Sequence, residues 1–124
     1  MSVVLDYTGG VFAAKPKGGK LGTDPASIGD GSTLDLLSGN KFVHVPSANV
    51  AYVFSNPPAS GTAIDFTLKV TPSATVTITW PSSVKWAGGT APTAPANGET
   101  DAFTFFTTDG GTTYYGFHAG DAYS

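Results

Sequence analysis

The chain has 124 residues, six lysines, no arginine, nine carboxylates and a formal net charge of −3. The lack of guanidinium groups argues against nucleic acid as a partner, because phosphate and guanine recognition leans on arginine. The lack of cysteine removes disulfide staples, thiolate nucleophiles and thiolate metal ligands. No apolar run approaches the ~18–20 residues that span a bilayer, and MSVVLDYTGG lacks the basic and apolar regions of a secretory signal. No membrane partner is expected.

Sixteen glycines and nine prolines accompany only 12 % charged residues. That balance describes one domain of short strands joined by turns rather than a disordered chain.

Residues 2–7 (SVVLDY) read as a short strand. Residues 8–33 change character: TGGVFAAKPKGGKLGTDPASIGDGST is rich in glycine, proline and lysine and follows no helical or strand period. Such a stretch, of roughly 25 residues, exceeds what loops inside compact domains usually show. It is therefore expected to be an arm lying along a partner, with a loop wrapped on its own domain as the alternative. Lys15, Lys17 and Lys20 form the only basic cluster and are the candidate contact to an acidic surface. The expected division is residues 1–33 as amino-terminal strand and arm, and 34–124 as the folded domain.

From residue 34 the strand signals become regular. LDLL (34–37) ends in the turn SGN. KFVHV (41–45) and NVAYVF (49–54) flank Pro46, Ser47 and Ala48, which predicts a hairpin. AIDFTLKV (63–70) alternates, with Ile64, Phe66, Leu68 and Val70 on one face and Asp65, Thr67 and Lys69 on the other. TVTITW (75–80) repeats the pattern with Val76, Ile78 and Trp80. DAFTFF (101–106) and TTYYGF (112–117) surround a turn in which Asp109, Gly110 and Gly111 accommodate positive φ at little steric cost, predicting a second hairpin. No segment keeps a helical period. About eight strands at this spacing predict an all-β fold, a single antiparallel β-sandwich or jelly-roll-like domain.

The only two tryptophans bracket PSSVK. Exposed, they would offer a stacking platform for a sugar ring; buried, they would fill a corner of the core. Pro81 cannot donate to a strand ladder, so the preceding strand must end or bend there. If the chain stays extended beyond it, Trp80, Val84 and Trp86 share one face while Lys85 takes the other. Their neighbours are serine, valine and glycine rather than the carboxylates and amides of a sugar site. A structural corner of Trp80, Pro81, Val84 and Trp86 is the expectation.

The series SNPPASGTAIDFTLKV, TITWPSSVKWAGGTAPT and DAFTFFTTDGGTTYYGFHAG resembles a β-rich module of tailed-bacteriophage virion proteins, marked by a WPxSVKWxGGTAPT corner followed by a TxDGGTxxYG hairpin. The resemblance spans roughly two thirds of the chain. It implies a structural virion component, found at tail-fibre ends or as a small capsid or tail protein. Because the module carries only a short arm here, a capsid decoration (cement) protein or head fibre is expected. The implied partners are the major capsid protein or another virion protein, and further copies of itself, most often as a trimer. The alternatives are a receptor- or carbohydrate-binding module at a fibre tip, served by Tyr114, Tyr115 and Tyr123, and a tail adaptor.

Chemistry of other kinds finds little footing. No serine stands in a nucleophile elbow, and Glu99 is the only glutamate, which leaves no obvious carboxylate pair for glycoside hydrolysis. His44 and His118 read as polar positions on sheet faces. Asp24, Asp30 and Asp109 read as turn caps rather than calcium ligands. The expectation is no enzyme, no cofactor and no metal.

Overall fold

The computed structural model describes residues 26–27 and 31–123. The expected strand at 2–7 and the lysines at 15, 17 and 20 lie outside the described residues. Ten strands follow in chain order: β1 (Ala26–Ser27), β2 (Thr33–Asp35), β3 (Lys41–His44), β4 (Val50–Ala51), β5 (Val53–Ser55), β6 (Ile64–Val70), β7 (Ile78–Thr79), β8 (Val84–Trp86), β9 (Thr100–Thr107) and β10 (Tyr114–Tyr123). A single 3₁₀ turn, Ala87–Gly89, is the only helical piece among the described residues.

Six strands form one sheet in the order β1-β3-β6-β9-β10-β8, and two ribbons, β2-β5 and β4-β7, stand apart from it. Leu34, Leu36 and Tyr52 of the ribbon layer join Phe42, Phe66, Leu68, Phe103 and Phe105 of the large sheet in one buried cluster. Phe54 meets Phe66 edge-on at 5.0 Å, tying the layers together. The fold is all-β and sandwich-like, a broad sheet with a narrow second layer on one face.

Alternation sets which face is buried. In β6, Ile64, Phe66, Leu68 and Val70 are buried while Asp65 and Lys69 are exposed. In β9, Asp101, Phe103, Phe105 and Thr107 point inward. Burying a phenylalanine contributes about 1.5–3 kcal/mol, and Phe42, Phe66, Phe103 and Phe105 are each almost wholly enclosed.

The pairing is mixed, which corrects the expectation of a purely antiparallel domain. The β6-β9 and β9-β10 pairs are antiparallel, but β1-β3, β3-β6, β8-β10, β2-β5 and β4-β7 are parallel. Parallel neighbours need a crossover rather than a tight turn, and ribbon strands supply two of them here: β2 between β1 and β3, and β4 with β5 between β3 and β6. After β3 the chain passes buried Pro46 into the second layer, forms β4 and β5, and returns to lay β6 alongside β3 in the same direction.

That path also corrects the hairpin expected between residues 41–45 and 49–54. The Val50 N–H donates to the Thr77 carbonyl at 3.0 Å and the Tyr52 N–H to the Thr79 carbonyl at 2.9 Å, so the second strand pairs with β7 instead of β3. The extended run 50–55 then changes partner at Tyr52, from β7 to β2.

Candidate functional site

The corner sequence carries the chain from one layer to the other. β7 belongs to a ribbon and β8 to the large sheet, and the turn between them closes through the Val84 N–H to the Pro81 carbonyl at 3.0 Å. Trp80 and Trp86 meet edge to face with ring centroids 5.4 Å apart. Trp80 also contacts Phe103 at 4.8 Å and stacks on Tyr52 at 5.2 Å, while Trp86 meets Phe105 at 5.7 Å. Both indoles pack against the core cluster and both are half-buried rather than fully enclosed. Val84 is buried between them on the same face and Lys85 points the other way.

The second motif closes the β9-β10 hairpin. Gly110 and Gly111 take φ of 72° and 84°. The Asp109 carboxylate accepts from the Thr113 N–H at 2.9 Å and the Thr107 hydroxyl at 3.1 Å. These bonds, the Thr113 backbone first, hold its pKa below the usual carboxylate range. The Thr107 hydroxyl oxygen in turn accepts from the Gly111 N–H at 3.2 Å. Corner and hairpin are direct neighbours: Val84, Lys85 and Trp86 pair with Tyr114, Tyr115 and Gly116.

Of the two histidines expected on sheet faces, His118 is exposed on β10, whereas His44 belongs to the core. His44 points into the core beside Phe42, 4 % exposed, with Nδ1 hydrogen-bonded to the Tyr52 hydroxyl at 2.7 Å. Burial pushes the pKa of that hydroxyl far up, so it stays a neutral phenol across physiological pH. His118 stacks on Phe103 at 5.0 Å, and its Nε2–H donates to the Asp101 Oδ2 at 2.9 Å. The Ala122 N–H donates to the other Asp101 oxygen at 2.8 Å. The two histidines sit on strands separated by β6 and β9.

Asp101 is the residue that sequence reasoning missed. It is 1 % exposed, and its position was readable: in DAFTFFT it shares the inward parity of Phe103 and Phe105. A buried carboxylate needs partners, and the end of β10 supplies them. Register breaks at His118/Gly120 and Gly120/Tyr123, together with a φ of 55° at Ala122, curl that strand over Asp101. Asp121 adds a third carboxylate or imidazole group there: one ligand atom each from Asp101, His118 and Asp121 lie within 4.8 Å of one another. The hydrogen bonds to the two Asp101 oxygens tie the end of β10 down onto β9 as a latch.

Tyr114, expected among exposed tyrosines, is instead buried at 3 %, whereas Tyr115 and Tyr123 are 46 % and 56 % exposed. The outer face of the large sheet carries an aromatic strip. Phe106 stacks on Tyr115 at 5.1 Å and on Phe117 at 6.1 Å, with interplanar angles of 27° and 22°. At the neighbouring sheet edge, Trp86, Thr90, Pro92, Gly116, Phe117 and His118 line a shallow groove of about 370 Å³.

Comparisons with protein-family models, curated proteins and solved structures gave no match to this chain.

Proposed function

We propose that the chain is a structural protein of a tailed-bacteriophage virion, acting as a capsid decoration protein that binds the outer shell and stiffens it. What supports this reading is that the two motifs marking the resemblance, the tryptophan corner and the glycine hairpin, form one hydrogen-bonded unit through β8 and β10. In this reading no side chain performs catalysis; the work is mechanical. Each subunit buries surface across neighbouring shell proteins, and ~1,200–2,000 Å² per contact is sufficient for stable attachment. The amino-terminal segment with Lys15, Lys17 and Lys20 reaches along the shell, and self-association on the lattice adds avidity.

Counting copies in purified particles tests this directly. A number matching the symmetry of the shell supports decoration. A number matching the symmetry of the tail moves the protein there, and absence from particles ends the reading. A variant lacking residues 1–31 keeps every buried core residue from Leu34 onward and, among the described strands, loses the two-residue β1 and its pairing with β3. It is expected to fold and to fail in decoration.

A second reading, a carbohydrate-binding module at a fibre tip, is favoured by the aromatic groove beside Trp86 and Phe117. Binding of soluble oligosaccharides, lost on Phe117→Ala with the fold intact, would select it.

A further inference from the structure

We propose that the outer face of the large sheet is the surface on which two copies of this chain pair face to face, about a two-fold axis running along the strands between β9 and β10.

The register defines a row across this face: Asp65 on β6 lies beside Phe106 on β9, Phe106 beside Tyr115 on β10, and Tyr115 beside Lys85 on β8. The row begins with an exposed carboxylate, ends with an exposed ammonium and holds two aromatic rings between them. Rotation about the proposed axis reverses the row. It places Asp65 of one copy opposite Lys85 of the other, twice, and Phe106 opposite Tyr115. The next row sets Phe117 opposite Thr104. The remaining lysines of the face do not collide: Lys41 and Lys69 lie toward the β3 side, and Lys69 falls opposite the region beyond the end of β8 at Trp86. Facing sheets stand ~10 Å apart, a gap that a lysine and an aspartate span together. Complementary charges of this kind set register and partner choice.

Ring geometry favours a protein partner over a sugar. Parallel rings with centroids 5.1 Å apart are too close to lie side by side in one plane; they stand against each other and turn their edges outward. A sugar stacks on an open ring face, whereas upright rings interdigitate with those of an opposing sheet. Tyr115 and Phe117, half exposed on a chain with few charges, make an apolar strip of the sort that marks an interaction surface.

This inference does not depend on a place in the virion. Sedimentation equilibrium of the full chain tests it. The wild type is expected to form dimers, or a larger oligomer with an even number of copies. Asp65→Lys and Lys85→Asp, which turn both attractions into repulsions, should each weaken association by about tenfold or more, and the double exchange should restore it to within about threefold. Tyr115→Ser and Phe117→Ser should also weaken it while circular dichroism shows an intact fold. A wild-type monomer at high micromolar concentration overturns the proposal, as does an oligomer indifferent to the charge exchanges. A monomer whose Tyr115 and Phe117 NMR signals move on adding an oligosaccharide overturns it in favour of a glycan.

Discussion

The Trp86 indole lies directly over Gly116: a Cβ built on that glycine would stand 2.8 Å from Cζ3 of the ring. The absence of a side chain on β10 is what lets β8 bring its tryptophan down onto the core. Gly116→Ala must push the ring away from Phe105 and is expected to destabilise the domain by about 1–3 kcal/mol. Trp86→Ala and Trp80→Ala, which remove half-buried rings, should cost about 2–4 kcal/mol each. Urea unfolding followed by circular dichroism measures all three. If Gly116→Ala were neutral, the close approach would not be needed.

The Asp101 latch gives a second expectation. Asp101→Ala leaves the Ala122 N–H and the His118 Nε2–H without their acceptor and should destabilise by about 1–3 kcal/mol. Asp101→Asn keeps one carbonyl oxygen for the Ala122 N–H and should lose less. Faster hydrogen exchange at Ala122 in Asp101→Ala, beyond what global stability explains, would identify fraying of the strand end.

In the hairpin, the two adjacent glycines should differ. Both have positive φ, which alone disfavours alanine by about 1–2 kcal/mol. A Cβ at Gly110 meets nothing nearer than the Ser60 backbone nitrogen at 3.3 Å, but one at Gly111 meets Pro57 Cγ and the Tyr114 hydroxyl, each at 2.7 Å. Gly111→Ala should therefore be clearly the more damaging of the pair. Equal thermal midpoints would refute this.

Stability should fall at both ends of the pH range. Asp35, through the Asn56 amide first and the Leu37 N–H second, and Asp109, through the Thr113 N–H, have folded pKa values below the ordinary one. Their contribution is present above the unfolded value of about 3.9 and disappears as pH drops through the folded values. Tyr52 and Tyr114 are displaced upward, both by burial first, with the Asp109 charge adding at Tyr114. The unfolded chain ionises its tyrosines near about pH 10 while these two remain protonated, so stability is lost as pH rises beyond that point. Urea midpoints measured against pH should show both slopes. Tyr52→Phe and Tyr114→Phe should flatten the alkaline one, and Asp35→Asn with Asp109→Asn the acidic one.

Wherever one side of a strand is wet, its identity and inward face can be read from residue order alone. The alternation in β6, the alternation through Phe103 and Phe105 in β9, and the glycines at 110 and 111 are local facts. A two-residue side-chain period and a positive φ are properties of the chain before it meets anything else. The shared facing of Trp80, Val84 and Trp86 follows from the same period.

Pairing was another matter. Pro46, Ser47 and Ala48 fit a hairpin locally, yet residues 50–55 bond to β7 and β2, which brings Tyr52 and Phe54 from the second layer onto the core. The parallel β3-β6 pair has the same origin, since direction in a sheet is fixed by where the connecting chain travels, whereas β8 and β10 run parallel because β9, antiparallel to β10, comes between them in the chain. Asp101 paired with His118, His44 with Tyr52, and the row from Asp65 to Lys85 are juxtapositions of residues distant in sequence or on different strands. Residue order places each of them on a face of its strand; only the register between strands, set when the two layers close on their shared phenylalanine core, decides which of them meet.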